Sequence, residues 1–359
     1  MIGTAHDVAD ARTHRTAQAL RAAGLTLEVI GRGHRGDAPE GAQVKILPSR
    51  GLRGRVVDAV RAPIRARGRV LLTIDPDPLF AASLRRLVRR NPLVADCHED
   101  YASLLQDRAW ARGVRGSLAR GVAGLAVRLA ARADLTAVAD EHVPPLAARD
   151  RLVVQNLPSG GYLPEPAAPD DLPRAVYVGD VRRSRGLRTM LEAIEQAPGW
   201  QLDVVGPVSP ADREWLDRWC SESPSAARVT FHGRMTPEQA WARAAGAWVG
   251  LCLLDLTPAF VEAMPSKVYE YLECGLPVLV TGLPKAVALI EEVGAGFEVG
   301  SASAAANALR AYQDEPEMLL AHRAAAVGWA RSRSQQPSPY DTLAVRVAGL
   351  VATSKSGSR

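Results

Sequence analysis

Two glutamates eight positions apart, Glu262 and Glu270, sit in the run FVEAMPSKVYEYLECGLPVLV, residues 260–280. Pro265 and Ser266 are residues that open helices, and Gly275 and Pro277 are residues that stop them. The spacing therefore predicts a helix of roughly two to three turns, followed by a buried strand at Val278–Val280. The start of such a helix presents unpaired N–H groups that suit a phosphate. Glu270 falls one turn later, within reach of a hydroxyl-bearing ligand, and Lys267 adds a cation beside the phosphates. By spacing alone, the alternative is that both glutamates line an exposed helix face.

Other segments hold chemistry-bearing residues where a strand meets a helix. Val176-Tyr177-Val178-Gly179 reads as a strand, and Arg185-Gly186-Leu187 as the end of a loop and the start of a helix. Gly206 in Val205-Gly206-Pro207 and Gly233 in Phe231-His232-Gly233-Arg234 close two further strands. Glycine there lets the backbone approach a ligand at the C-terminal edge of a parallel sheet. His232 is either a packed loop residue or a ligand contact. Residues 94–101, VADCHEDY, place His98 between a strand and a helix, where an imidazole can donate a hydrogen bond to a hydroxyl. A metal reading of Asp96, Cys97, His98 and Glu99 lacks any remote ligand cluster to complete it. Gly31-Arg32-Gly33-His34-Arg35-Gly36 matches G-x-G-x-x-G. The dinucleotide fingerprint also needs a helix opening on the third glycine, and a Pro-containing loop follows instead, so NAD binding is set aside.

The elements that must position these residues alternate along the chain. Apolar runs at 25–30, 44–47, 70–74, 93–95, 135–138 and 152–154 read as strands of a first half. Those at 175–178, 202–205, 229–231, 248–254, 278–280 and 297–299 read as strands of a second. Helical patterns at 11–22, 78–90, 187–196, 211–220, 237–244 and 266–274 lie between them. Such alternation implies parallel α/β sheets, and two series imply two doubly wound domains. The stretch 157–173, rich in Pro and Gly, reads as a linker. We expect domains at 1–160 and 161–335 and a last segment at 336–359; about 317–351 reads as helical, with Pro337 and Pro339 inside it, and the tail as disordered. The first strand looks short, because only Met1–Ala5 precede a loop that carries Asp7, Asp10 and Arg12.

The 260–280 run resembles the donor-sugar motif of retaining nucleotide-sugar glycosyltransferases of GT-B architecture, of the glycosyltransferase family 4 type. The resemblance implies two Rossmann-like domains facing a central cleft, with the nucleotide on the second and the acceptor on the first, and a C-terminal helix within 336–359 that crosses back to the first domain, the crossing marked by Pro337 and Pro339. It implies that Glu270 binds the ribose and that Glu262 lies near the transferred sugar. Val176–Leu187 is similar to the opening of that family's second domain, where two cations hold the donor diphosphate. Arg185 then matches one of them. Asp180 stands where the other is usual, and Arg182 or Arg183 are candidates to supply that charge. Asp96-Cys97-His98-Glu99 resembles the segment whose histidine approaches the donor sugar. Catalytic roles thus fall to His98, Glu262 and Arg185. Donor contacts fall to Gly179, Arg185, Gly206, His232, Gly233, Ser266, Lys267 and Glu270. The resemblance implies transfer from a nucleoside diphosphate sugar, by family frequency a UDP-sugar, to an acceptor hydroxyl of a lipid-linked saccharide, a polysaccharide or a natural product. It implies no metal requirement. The Gly-Gly that many relatives carry in the first loop is absent, and Arg12, Asp7 and Asp10 are weak candidates for acceptor or phosphate contact.

Composition bounds the rest. The chain has 359 residues with 47% hydrophobic content, enough for packed cores. No run approaches the roughly 18 apolar residues of a membrane helix, and the start lacks the features of a signal peptide. Cys97, Cys220, Cys252 and Cys274 form no zinc spacing and read as reduced thiols of a cytoplasmic protein. Net charge is +5, and the first 165 residues carry 25 Lys+Arg against 17 Asp+Glu. The Arg-rich stretches 50–69 and 108–132 suit either a solvated helical surface or peripheral contact with an anionic membrane. Nucleic acid binding would want interleaved aromatics, and Trp110 stands nearly alone there, so it is set aside. Two alternatives share the architecture: a catalytically silent GT-B binding protein, motivated by Asp180 and the short first strand, and a GT-B nucleotide-sugar epimerase.

Overall fold

The structure, a computed structural model, describes residues 1–48, 51–101, 113–158, 162–257, 260–262 and 264–356. It divides into two units, Met1–Asn156 with Pro337–Arg359, and Leu157–Gln336.

The first unit is built on a seven-stranded sheet of order β3-β2-β1-β4-β5-β6-β7. Its strands are β1 Ile2–Asp7, β2 Glu28–Arg32, β3 Gln43–Ile46, β4 Leu71–Thr73, β5 Leu93–Cys97, β6 Leu135–Val138 and β7 Arg151–Val153. Every pairing is parallel, with Val94 opposite Leu135 and Leu72 opposite Val94. Described helices are α1 Ala11–Ala22, α2 Leu52–Arg65, α3 Pro76–Arg89 and α4 Gly113–Ala131, joined by the last helix of the chain. Helices cover both faces, so β5 and β6 are buried along their whole length and read as continuous apolar runs rather than alternating ones.

The structure corrects one feature of the sequence reading and gives detail to two more. The first strand is not short: β1 runs six residues, to Asp7. Its polar end resembles a loop by hydropathy, yet His6 is held by a carboxylate from a neighbouring strand end. Second, the terminal helical segment is two helices, Pro316–Ser334 and Pro339–Ser356, interrupted where Pro337 lacks an N–H to continue the ladder. The latter belongs to the first unit and packs Tyr340, Leu343, Ala344 and Val347 with Leu20, Leu72, Val94 and Leu135. Third, the 50–69 stretch contains α2, in which Arg residues alternate with exposed Val56, Val60 and Ile64. The 108–132 stretch is described only from residue 113 onward. The G-x-G-x-x-G run leads into a single 3₁₀ turn, Arg35–Asp37, and then β3, so the helix a dinucleotide fingerprint requires is absent there.

The second unit carries a six-stranded parallel sheet of order β10-β9-β8-β11-β12-β13. Its strands are β8 Arg174–Val178, β9 Gln201–Val205, β10 Val229–Gly233, β11 Val249–Cys252, β12 Val278–Val280 and β13 Gly296–Glu298. Its helices are α5 Leu187–Gln196, α6 Arg213–Glu222, α7 Pro237–Ala242, α8 Ser266–Glu273, α9 Pro284–Val293, α10 Ala302–Asp314 and α11 Pro316–Ser334, and the returning helix Pro339–Ser356 is α12. One core layer packs Tyr177, Met190, Trp200 and Tyr312 on one face; the other packs Val176, Trp241, Tyr271 and Val278. All four cysteines are free, and no described helix is long and apolar enough to cross a membrane.

Candidate active site

In the second sheet the strand order reverses between β8 and β11. Chain leaving β8 turns to one side and chain leaving β11 to the other, which opens a crevice at their C-terminal ends. The sequence places Gly179 at the end of β8 and the N-terminus of α8 after β11. Pro265 precedes α8 and offers no capping side chain, so the first-turn N–H groups keep their positive partial charge for an anion.

What holds α8 in place is Tyr271. Its ring lies against Gly250 of β11, where an added Cβ would sit 2.3 Å from ring carbon Cγ. Its hydroxyl accepts from the Val178 N–H at 3.0 Å. One end of the helix is thereby tied to both central strands, and Lys267 and Glu270 are aimed from it. Gly250→Ala is expected to displace Tyr271 and destabilise the unit by about 1–3 kcal/mol, read as a lower midpoint in chemical denaturation.

Lys267 is 7% exposed. Its ammonium stands 3.8 Å over the centre of the Tyr177 ring, and among the described residues it has no hydrogen-bond partner. A buried ammonium without a partner is costly; the ring's negative face offsets part of that. Gly179 has φ +141°, a conformation that strains other residues, and a Cβ on it would come within 3.1 Å of the ammonium. Arg185 precedes Gly186, whose φ is +85° and whose Cβ would overlap the Leu253 carbonyl oxygen at 1.9 Å. That contact draws the β8–α5 loop down onto the segment after β11. Lys267 and Arg185 both act on the Cys252 thiol at the end of β11; burial nonetheless pushes that thiol up to about 11.

Glu270 is 5% exposed. Its Oε1 accepts from the Tyr162 hydroxyl at 2.8 Å, and Ser266 Oγ lies 3.4 Å from Oε2. Tyr162 was not singled out by the sequence reading; the only signal was an aromatic in a stretch of Pro and Gly. Glu262 is not on the helix: it occupies an exposed turn before it. Spacing makes the two glutamates look alike, but their environments are opposite.

The candidates for the missing second cation are both engaged. Arg182 pairs with Asp180 at 2.6 Å, and Arg183 with Asp212 at 2.6 Å. Arg185 forms no ion pair among the described residues and lies 5.9 Å from the Phe260 ring centre. Gly206 serves first to let its loop meet the Gly179 carbonyl, where a Cβ would sit 1.9 Å away. Gly233, with φ +69°, has open space beside it. His232 bonds through Nε2 to Asp203 Oδ1 at 2.8 Å, and Asp203 also pairs with Arg174. This favours the packed-residue reading of His232.

His98 belongs to the first unit, after β5. Its Nε2 lies 2.9 Å from His6 Nε2, and His6 Nδ1 lies 2.5 Å from Asp75 Oδ1. Burial lowers the His98 pKa from its ordinary value, so the ring is neutral. The sequence reading overlooked His6 and Asp75, because they are separated from His98 by 92 and 23 positions. The loop residues it did name have structural partners. Arg12 binds Asp96 through Nε and Nη2, and Asp10 caps α1 by accepting from Thr13 N–H at 3.0 Å. Asp7 accepts from Ala9 N–H at 3.0 Å. Asp96 is thus held by a guanidinium, and the Cys97 thiol is pushed up by burial to about 12.

Residues 163–326 match the family described as "Glycosyl transferases group 1". No protein of curated function matches the chain in sequence. Among solved structures, the chain is similar to sucrose-phosphate synthase from Thermosynechococcus elongatus, at 18% identity, TM-score 0.72, and 99% coverage of both chains. It is similar to Anabaena HepE in complex with UDP-glucose, at 15% identity, TM-score 0.68, covering 95% of this chain and 96% of that one. WaaG, a glycosyltransferase involved in lipopolysaccharide biosynthesis, aligns at 17% identity and TM-score 0.64, with coverage of 92% and 93%. The architecture shared with these chains is GT-B.

Proposed function

We propose that this chain, whose residues 163–326 match the family described as "Glycosyl transferases group 1", is a retaining glycosyltransferase. In this reading it moves a sugar from a nucleoside diphosphate sugar, with UDP-sugar favoured, to an acceptor hydroxyl. The observation that carries this reading is Lys267: a buried ammonium with no hydrogen-bond partner among the described residues, beside an uncapped helix start. A diphosphate supplies what that place lacks. Glu270, one turn along the same helix, accepts from the ribose hydroxyls, with Tyr162 sharing the carboxylate.

In the step we propose, the bond between the sugar's anomeric carbon and the diphosphate oxygen breaks. The bond to the acceptor oxygen forms on the same face, and the departing diphosphate takes the acceptor proton. The chain's task is then to hold reactants in place and to stabilise charge growing on the diphosphate. Lys267 and Arg185 do the latter. His98 and Glu262 orient the sugar. Asp180, neutralised by Arg182, does not oppose the diphosphate as a bare carboxylate would.

Calorimetric titration with UDP, GDP, ADP and dTDP tests the reading, with Glu270→Ala as control. Saturable micromolar binding of one nucleotide that disappears in the variant is expected. If a folded protein binds none of the four, the reading fails and a silent GT-B binding protein takes its place. Product formation in the absence of any acceptor would instead point to epimerisation.

For the acceptor side, we propose peripheral contact of the first unit with an anionic membrane, which suits a lipid-linked saccharide acceptor and a cytoplasmic location. Helices α2 and α3 pack together, as do α3 and α4. They expose Val56, Val60, Ile64, Leu87, Val88 and Leu118 among exposed Arg53, Arg61, Arg65, Arg89 and Arg90. Apolar and basic side chains exposed on adjoining helices favour anionic lipid. Leu87→Asp with Val88→Asp is expected to weaken sedimentation with phosphatidylglycerol vesicles by roughly tenfold or more. Failure of the unmodified protein to bind such vesicles would exclude the contact.

A further inference from the structure

The first sheet has its own reversal of strand order, between β1 and β4. Three side chains meet at the C-terminal ends of the strands there. Asp75, just after β4, accepts from the Ala5 N–H through Oδ2 at 2.6 Å and faces His6 Nδ1 through Oδ1 at 2.5 Å. His6 Nε2 faces His98 Nε2 at 2.9 Å, with the two rings edge to face at 79°. His98 Nδ1 is buried and has no hydrogen-bond partner among the described residues.

The hydrogens of this row are constrained. A carboxylate only accepts, so His6 Nδ1 carries a proton. Between the two facing Nε2 atoms there is one proton, carried by one ring and accepted by the other. If His6 is an imidazolium, its Nε2–H donates, His98 Nε2 accepts, and the single proton of neutral His98 lies on Nδ1. If His6 is neutral, the order reverses and His98 Nδ1 is a bare acceptor. We propose that Asp75 and His6 are positioning residues that hold His98 as the Nδ1–H tautomer, so that it presents a hydrogen-bond donor to a ligand hydroxyl oxygen.

The electrostatics agree with the geometry. Burial works to lower the His6 pKa, but the hydrogen bond and charge of Asp75, helped by Asp10 and Glu99, raise it to about 9. Burial lowers His98, and His6 and Arg12 lower it further against Asp96 and Glu99. Tyr101 is also near and stays protonated, because burial raises its pKa. His6 is therefore charged and His98 neutral across the neutral range.

The ligand assigned to Nδ1 rests on the transferase reading, in which His98 orients a sugar hydroxyl; the tautomer itself does not. Histidine ¹⁵N spectra of the unliganded protein report it directly, with His6→Phe and Asp75→Asn for assignment. At pH 7 His98 is expected to show a protonated Nδ1 and a bare Nε2, reversing as pH rises through about 9 and His6 loses its proton. Asp75→Asn is expected to move that reversal down toward or below the ordinary histidine value of about 6.5. His6→Phe is expected to release His98 into a mixture of tautomers. A protonated His98 Nε2 at pH 7 in the unmodified protein, or a His98 tautomer that ignores the titration of His6, overturns the proposal. If nucleotide titration fails while the tautomer behaves as described, the transferase reading falls and this one stands.

Discussion

Replacing Lys267 with methionine is expected to lower turnover by roughly 10²–10³ while leaving the protein as stable as before, or more so. The two effects come from one observation. The ammonium is buried over Tyr177 with no hydrogen-bond partner among the described residues, so the unliganded fold bears a desolvated charge that the ring's quadrupole offsets in part. Methionine has similar length, carries no charge, and makes favourable sulfur contacts with aromatic rings. It removes the cost along with the charge. If the ammonium's role is to stabilise charge on the leaving diphosphate, its loss appears in turnover rather than in folding. The check is to measure kcat and KM with the donor identified by titration, beside the thermal midpoint. Turnover within about threefold of the original, well short of the loss expected for a transition-state contact, would remove Lys267 from the chemistry. A clear drop in the midpoint would show that its role is structural.

Arg12→Met is expected to destabilise the protein by about 3–5 kcal/mol without altering nucleotide affinity. Arg12 and Asp96 have side chains only 5% and 1% exposed. Burial lowers the guanidinium's pKa, but Asp96 more than reverses this, so it stays charged. Its Nη1 also donates to the Val154 carbonyl and to Asn156 Oδ1, both at 2.8 Å, and it lies 5.8 Å from the centre of the Tyr340 ring. One side chain of α1 thus joins the end of β5, the segment after β7, and α12. Removing it strands a carboxylate in the core, which costs more than the intact pair contributes. Arg12→Met combined with Asp96→Leu should recover much of the loss. A change below about 1 kcal/mol for the single variant, against the several expected of a broken buried pair, would contradict this account. Chemical denaturation followed by circular dichroism measures both.

Much of the fold was legible because its signals are local. Strands β6 and β12 and helices α1 and α5 coincide with the apolar runs and helical patterns read from the chain. Their residues repeat with the period of the element, or form the short unbroken runs of a sheet covered on both faces. The reading faltered where a local signal was ambiguous. The end of β1 carries His6 and Asp7, which look like loop until Asp75 is seen to receive His6.

By itself, the sequence determined the class of fold, the positions of most elements, and which short runs bear the chemistry. Proline, glycine and apolar spacing act within a few residues, so they survive without coordinates. Only the tertiary structure decided which of those side chains are available to a ligand. It buried Glu270 and left Glu262 exposed on a turn. It engaged Arg182 and Arg183 with carboxylates and left the Lys267 ammonium without a hydrogen bond among the described residues. It joined Arg12 to Asp96, and Asp75 to His6 to His98. These partners lie far apart in the chain, and the register of parallel strands brings them together. Hydrogen bonding and desolvation depend on distances of a few ångströms, which no spacing along the sequence encodes.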